Sequence, residues 1–163
     1  MSKMRFGIIS CCYNVEAFIQ KHIDSVWSQK GCKFTHYIVD DGSSDKTAEI
    51  LRNAGQRLGH NFIVLTKPHN TGGLHSWIQA MEGAPLKDED VVIELDGDDY
   101  FLHDRVLLRI KEEYDKGYLA TYGNYKCEGI NTDATIPTAS VCKPKNMKIP
   151  LRQQLGKWRY SAP

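Results

Sequence analysis

Short apolar runs alternate with amphipathic stretches along the first two-thirds of the chain. The apolar runs predict four strands, over residues 5–12, 34–39, 61–66 and 90–95. Apolar side chains at three- and four-residue spacing predict four helices, over about 15–27, 43–58, 73–81 and 104–116. A fifth strand is expected over 118–125. Repeated strand–helix units favour one α/β domain, with a central, mostly parallel sheet flanked by helices in a Rossmann-like arrangement.

Polar residues at the strand ends predict where the first two helices begin. Asn14 follows the first strand and is a plausible N-cap. Ser43 or Ser44 fills the same role for the second helix, after a turn that Gly42 permits. We expect the first helix to bury one face formed by Val15, Phe18, Ile19, His22, Ile23, Val26 and Trp27.

Composition narrows the class of protein only slightly. The chain has 163 residues, 41% hydrophobic and 25% charged, with a formal net charge of +1 and a mean hydropathy of −0.45. No apolar run approaches the roughly 20 residues that span a bilayer. Scattered basic residues give no indication of a nucleic-acid or membrane surface. Five cysteines, two of them adjacent, form a poor disulfide framework. We therefore expect a cytoplasmic protein.

The unusual polar clusters all fall where a predicted strand ends, which is where ligands bind in open parallel sheets. These clusters are Ser10 to Asn14, Asp40 to Gly42, His69 to Gly73, and Asp96 to Asp99. Their coincidence is more informative than any one of them. It predicts a ligand site at the carboxyl edge of the sheet.

The acidic cluster carries the strongest chemical signal. Asp96, Asp98 and Asp99 put three carboxylates within four residues, and such carboxylates repel one another unless a cation or a proton intervenes. A hard divalent ion takes one or two carboxylates together with substrate phosphates. Gly97 allows a ligand to approach the backbone. The alternative is a solvated turn whose aspartates cap the next helix.

For each of the remaining candidate site residues, an ordinary structural role is an alternative to a role in ligand binding. Asp41 lies in a turn whose composition any strand-to-helix connection favours, yet its carboxylate suits the N3–H of a uracil ring. Tyr13 either stacks on that base or packs against the protein. Gly73 ends a loop whose free backbone N–H groups suit a diphosphate, and the alternative is that this loop is only a flexible connection. His69 lines the base pocket or is structural.

Several other functions fail on spacing. No G-x-G-x-x-G follows the first strand, and no Walker-type G-x-x-x-x-G-K is present. A calcium-binding loop that begins at Asp96 needs Gly and Glu where Phe101 and Leu107 stand. An aspartate-nucleophile phosphatase stays open as a distant alternative, although its Asp-x-Asp usually follows the first strand rather than the fourth.

Taken together, these motifs resemble family 2 glycosyltransferases with a GT-A fold. The specific ones are Ile38 to Asp45 and Glu94 to Asp99, supported by Tyr13-Asn14 and Asn70-Thr71-Gly72. The resemblance covers roughly residues 5 to 105. Leu74-His75-Ser76 departs from the family, which often has an Arg-Asn pair there.

The resemblance implies an inverting transferase that uses a nucleotide-diphosphate sugar, commonly UDP-linked, with Mn²⁺ or Mg²⁺. Together with the clusters at the strand ends, it predicts donor contacts from Ser10, Cys11, Tyr13, Asp41, His69, Gly73, Asp96 and Gly97, with the metal on Asp98 and Asp99. No acceptor is indicated. A non-catalytic nucleotide-sugar-binding module is the alternative, because no catalytic base has a matching context.

The resemblance also sets an expected domain organisation. Residues 1–125 would form the nucleotide-sugar-binding core, and residues 126–163 the start of an acceptor-side region of the same domain. The family's base lies about 75 to 95 residues beyond the acidic motif, so we expect it outside this chain. We therefore expect the domain to be C-terminally incomplete.

Overall fold

The computed structural model describes residues 4–123 of the chain. Its four strands are β1 (Arg5–Cys12), β2 (Lys33–Asp40), β3 (Phe62–Thr66) and β4 (Val91–Glu94). Its four α-helices are α1 (Ile19–Trp27), α2 (Thr47–Leu58), α3 (Gly73–Gly83) and α4 (Val106–Asp115), and a 3-10 turn (Gly59–Asn61) precedes β3. The predicted alternation of strands and helices is confirmed over this range. No helix among these residues is both long and apolar enough to cross a membrane.

The four strands form one parallel sheet in the order β3-β2-β1-β4. The carboxyl ends of all four strands therefore lie at the same edge, with Cys12 of β1 paired to Asp40 of β2. The chain moves outward from β1 to β3 and then returns to the other side of β1 for β4. This reversal places a topological switch point between β1 and β4, where ligands bind in such sheets.

The two faces of the sheet are covered by different helices. Cys12 and Ile38 pack in one core cluster with Ile19 and Ile23 of α1 and Leu51 of α2. Successive side chains of a strand point to opposite faces. The neighbour of Cys12, Cys11, accordingly borders a cavity beside α3 on the other face. Alternate residues of β1 therefore contact different helices, on opposite faces of the sheet.

The predicted start of the first helix is wrong, and the reason is a tertiary contact. Asn14 has φ +53°, and its side-chain Oδ1 accepts a hydrogen bond of 2.8 Å from the Ser44 N–H. The helix begins only at Ile19, without a side-chain cap. Phe18, expected on the buried face, is 53% exposed because it precedes the first helical turn. His22 is fully buried, as predicted.

The predicted caps of the second helix are also wrong. Ser43 accepts a bond from the Asn14 N–H, and Ser44 bonds the Asn14 side chain, so both serines join the two loops instead. The helix begins at Thr47, whose N–H donates to the Asp45 carboxylate over 2.9 Å. Asp45 therefore satisfies a helix-start N–H that the serines were expected to satisfy.

The chain divides into two compact units, Met1–Leu107 and Leu108–Pro163. In the described part of the second unit, α4 ends near Gly117, whose φ is +88°. Residues 118–123 join no strand, which contradicts the predicted fifth strand over that stretch. Leu119 and Tyr122 stay about half exposed, so little apolar burial stabilises an extended pairing there. The predicted acceptor-side region, 126–163, lies outside the described residues.

Candidate functional site

A cavity of about 400 Å³ opens at the switch point of the sheet. One wall is apolar and comes from the first turns of α3, while the facing wall is acidic and comes from the end of β4 and the loop after it. Its lining residues are Cys11, Gly73, Leu74, Trp77, Glu94 and Asp96. A concave, partly apolar site with a few polar groups suits a small-molecule ligand.

The acidic loop, Asp96 to Asp99, is held by backbone contacts to β1. The Gly97 N–H donates to the Cys11 carbonyl over 3.0 Å, and the Asp99 N–H closes a turn onto the Asp96 carbonyl over 2.9 Å. A Cβ on Gly97 would lie 2.3 Å from the Cys12 sulfur, so only glycine fits. The loop thus packs its glycine inward and leaves its three carboxylates exposed.

Electrostatics in this loop favours a bound cation. Burial raises the pKa of Asp96, and the negative charges of Asp98 and Asp99 raise it further. Burial and the Asp96 charge likewise raise the pKa of Glu94. The part of the Asp96 shift that comes from Asp98 and Asp99 reports a local excess of negative charge, which a divalent cation relieves. The loop therefore has the charge that a metal–diphosphate complex requires.

The donor set fits a metal shared with a ligand. Residues 4–123 contain no group of three or more His, Cys, Asp and Glu side chains arranged to hold an ion by themselves. Mg²⁺ and similar ions are commonly bound through one or two carboxylates plus substrate phosphates. Asp98 and Asp99 offer two exposed carboxylates of this kind, two and three residues after Asp96, which borders the cavity.

Asp41 is engaged by the loop that precedes α3. Its Oδ1 accepts bonds from the Thr71 N–H over 3.0 Å and the Thr71 hydroxyl over 2.9 Å, and its Oδ2 accepts the Gly72 N–H over 2.8 Å. Lys67 Nζ lies 3.2 Å from Oδ1, with the Lys67 and Asp41 side chains only 7% and 3% exposed. This buried group holds residues 67–73 against the end of β2.

The pKa of Asp41 reflects these contacts. Burial alone would raise it, but the hydrogen bonds from Thr71 and Lys67 outweigh burial and lower the pKa to about 2. Gly42 has φ +74°, and a Cβ there would lie 2.5 Å from the His69 backbone. The two loops therefore approach too closely for any other residue at this position.

Ser10 does not reach the cavity, although the resemblance implied a donor contact. Its fully buried hydroxyl lies 3.0 Å from His22 Nε2 and 3.1 Å from His36 Nε2, on the α1 side of the sheet. Burial lowers the pKa of His22. Burial lowers the pKa of His36 more strongly, and electrostatic repulsion from His22 lowers it further. Both rings are therefore neutral at pH 7.

The other candidates from the sequence lie at the same edge of the sheet. Cys11, Gly73 and Asp96 border the cavity. Burial, with the Asp96 and Glu94 charges, raises the pKa of the Cys11 thiol to about 11, so it is neutral. Tyr13 and His69 are exposed on the loops after β1 and before α3.

Sequence reasoning missed three residues that line the cavity. Leu74 and Trp77 lie one turn apart at the start of α3, and Glu94 ends β4. The signal for the first two was present, because a helix that follows a ligand loop presents residues three apart to the same side. For Glu94, strand alternation with Asp96 was the available signal.

The fold and the site together define an α/β domain of the GT-A type, with an acidic loop at the switch point of a parallel sheet. The model of the family described as glycosyl transferase family 2 matches residues 7–161. The chain therefore belongs to glycosyl transferase family 2. This assignment confirms the resemblance and favours a transferase over the phosphatase alternative.

Two relatives illustrate the similarity in sequence. An uncharacterized glycosyltransferase of Haemophilus influenzae is 27% identical over 125 residues, which are 77% of this chain and 48% of the relative. The undecaprenyl-phosphate 4-deoxy-4-formamido-L-arabinose transferase of Edwardsiella ictaluri is 40% identical over 88 residues, 54% of this chain and 26% of the relative. The chain thus spans about half or less of these relatives.

Solved structures show the same fold. S. aureus TarS 1–349 in complex with UDP has a TM-score of 0.60 and 28% identity, covering 69% of this chain and 32% of the 1–349 chain. The UDP-GlcNAc complex has a TM-score of 0.58 and 26% identity, covering 71% and 32%. The mannosyltransferase PcManGT from Pyrobaculum calidifontis, with GDP-Man and Mn²⁺, has a TM-score of 0.55 at 19% identity, covering 64% and 30%, and supports the fold alone.

Proposed function

We propose that the chain forms the donor site of an inverting, metal-dependent glycosyltransferase that uses a nucleotide-diphosphate sugar, most simply a UDP-sugar. The observation that carries this proposal is the exposed acidic loop beside a partly apolar cavity at the switch point of the sheet. Family membership supports the reaction class. The TarS complexes with UDP and UDP-GlcNAc support the donor class.

The roles we propose follow from position and chemistry. Tyr13 stacks on the base with its exposed ring, and Asp96 accepts a hydroxyl of the donor at the acidic wall. Asp98 and Asp99 hold Mn²⁺ or Mg²⁺ together with the diphosphate. When bound, the ion would offset charge that grows on the departing diphosphate. Trp77 supplies an apolar surface that excludes water from the cavity.

The remaining contacts are assigned to backbone and loops. We propose that Gly73 places free N–H groups at the start of α3 near the diphosphate, because helix N-termini favour anions. Asp41 then acts mainly by holding the loop that leads to Gly73 and that carries His69 near the base. Cys11 and Gly97 bring the backbone close to the ligand.

The reaction we propose is in-line displacement at the anomeric carbon. The bond from that carbon to the diphosphate oxygen breaks as the acceptor oxygen attacks from the opposite side. The acceptor proton passes to a general base, for which no residue among 4–123 is assigned. A nucleotide-sugar-binding module without transfer activity is the second candidate, and it rests on this same lack of an assigned base.

A donor-hydrolysis screen distinguishes these candidates. UDP-, GDP- and dTDP-sugars are incubated with the chain and Mn²⁺, and the released nucleoside diphosphate is measured. The transferase proposal predicts metal-dependent hydrolysis of one nucleotide class, abolished by Asp98→Ala. Binding without hydrolysis supports the non-catalytic module. Metal-dependent activity that survives Asp98→Ala contradicts the metal assignment.

We also propose a cytoplasmic location for the protein. Cys11 and Cys12, at the end of β1, are free thiols. Free thiols are typical of a reducing compartment.

A further inference from the structure

Three buried or half-buried polar side chains of α1 and the turn after it are used by no proposed donor contact. His22 and Ser25 are three residues apart on one face of α1, and Gln29 follows the end of the helix at Trp27. All three contact the backbone of residues 99–107, the segment that directly follows the acidic loop. A helix face of this kind would ordinarily bury apolar groups.

The first two contacts fix the exit of the acidic loop. His22 Nδ1 lies 2.7 Å from the carbonyl oxygen of Asp99. The Phe101 N–H donates to Ser25 Oγ over 3.0 Å, while the Ser25 hydroxyl donates to the His22 carbonyl over 2.8 Å. One carbonyl and one N–H of the loop exit are therefore bound by α1 side chains.

The third contact fixes the far end of the segment. Gln29 donates from Nε2 to the His103 carbonyl over 2.6 Å and accepts the Leu107 N–H at Oε1 over 3.1 Å. Leu107 lies in the first turn of α4, whose leading N–H groups need a partner outside the helix. Gln29 thus supplies that partner and connects the start of α4 to the turn that follows α1.

The protonation of His22 follows from its partners. A carbonyl oxygen only accepts, so Nδ1 must carry the proton that bonds the Asp99 carbonyl. The neutral ring then accepts at Nε2, and the Ser10 hydroxyl is the donor. His36 then donates from Nε2, which lies 3.1 Å from Ser10 Oγ and 3.2 Å from His22 Nε2, and the lone pair of its Nδ1 has no partner. One directed chain of hydrogen bonds runs from β2 through β1 and α1 to the acidic loop.

We propose that His22 is a positioning residue for the donor site. By holding the Asp99 carbonyl, it fixes the backbone of the acidic loop and hence the direction of the Asp98 and Asp99 carboxylates. Ser10 and His36 fix the ring of His22 in turn. The consequence for donor binding rests on the proposed function, whereas the effect on the loop does not. Groups one step behind metal ligands commonly tune metal affinity in this way.

Two substitutions of His22 separate the Nδ1 contact with Asp99 from the Nε2 contacts with Ser10 and His36. In His22→Asn the amide nitrogen takes the place of Nδ1 and keeps the bond to the Asp99 carbonyl, but loses Ser10. In His22→Gln the longer amide reaches the place of Nε2 and keeps Ser10, but loses Asp99. Both variants put a polar amide into the same buried place, so a purely structural role predicts similar effects.

Hydrogen exchange followed by mass spectrometry measures how well the backbone N–H groups of the acidic loop are protected in the absence of any ligand. We expect faster exchange over residues 96–103 in His22→Gln than in His22→Asn or the parent chain, with β1 and β2 equally protected in both variants. Equal exchange over 96–103 in the two variants would overturn the positioning role. Urea denaturation checks that both variants fold.

Calorimetry with UDP and Mn²⁺ measures how the same substitutions change donor-nucleotide affinity. His22→Gln should weaken the metal-dependent UDP affinity by about tenfold or more, while His22→Asn stays within about threefold of the parent chain. Equal affinities in the two variants would contradict the proposal. Failure of the parent chain to bind UDP would instead contradict the proposed function and leave the exchange result to decide the positioning role.

A second pair covers the case in which a His22 variant fails to fold. Ser25→Ala removes the acceptor of the Phe101 N–H, whereas Ser28→Ala removes only a bond to a carbonyl of the same helix. We expect faster exchange over 99–103 in Ser25→Ala alone. Identical exchange in the two serine variants would count against the role of α1.

Discussion

The buried pair of Asp41 and Lys67 allows a quantitative test of how the ligand loop is held. Asp41→Asn removes the negative charge, leaves the Lys67 ammonium buried without its counter-ion, and turns an amide N–H₂ toward N–H donors. Breaking one partner of a buried ion pair costs about 3–5 kcal/mol. We therefore expect the free energy of unfolding at pH 7 to fall by about that amount.

The pH dependence gives an independent magnitude. The pKa of Asp41 falls from 3.8 to about 2 in the folded protein. A shift of that size corresponds to about 2.5 kcal/mol of stability. Because the folded pKa is depressed, this stability is present above the unfolded pKa and is lost as the pH falls toward 2. Between pH 3.5 and 2.5, the parent chain should lose about 1 kcal/mol per pH unit more than Asp41→Asn, because the folded and unfolded carboxyls differ by about 0.7 bound protons there.

Urea denaturation followed by circular dichroism measures both quantities, at pH 7 and in steps from pH 4 to pH 2.5. Asp88→Asn, at an exposed turn, is the matched control and should behave as the parent chain does. Other depressed carboxyls, such as Asp90, contribute equally to parent and variant and cancel in the difference. A loss below about 1 kcal/mol at pH 7, or parallel pH slopes, would refute the assignment of Asp41 as a buried loop anchor.

Three further predictions concern the donor site. Asp98→Asn should abolish the Mn²⁺-dependent part of UDP binding in calorimetry, whereas Asp88→Asn should leave it unchanged; equal binding by both would contradict the metal assignment. Gly97→Ala should destabilise the fold by about 1–3 kcal/mol in urea denaturation, because the added Cβ would collide with the sulfur of Cys12. Gly83→Ala is the control and should not destabilise the fold, because its added Cβ would point into open space. Tyr13→Ala should weaken UDP binding in a fluorescence titration by about 1 kcal/mol or more while Tyr13→Phe retains it, and equal losses would argue against stacking.

The alternation of strands and helices and the edge of the sheet that carries the site could be predicted from the sequence, because local patterns determine both. The nearly unbroken apolar run of residues 5–12 predicted a strand, and β1 is buried along most of its length. The polar clusters at the strand ends then converge because all four strands are parallel. The acidic loop was placed correctly for this reason.

What the sequence did not predict depends on contacts between distant segments. Asn14 and Ser44 bond each other across 30 positions, which removes both from the capping roles that local preference assigns them. Ser10 and Cys11 are neighbours, yet one meets α1 and the other the cavity. No local signal says which face of the sheet α1 will cover, so the sequence could not separate them.

The central claim is that the acidic loop and the cavity bind a nucleotide diphosphate together with a divalent ion. Isothermal titration calorimetry of the 163-residue chain with UDP, with and without Mn²⁺, tests it most directly. The account predicts saturable binding with Mn²⁺ and much weaker binding without it. No heat of binding in either condition would contradict the account.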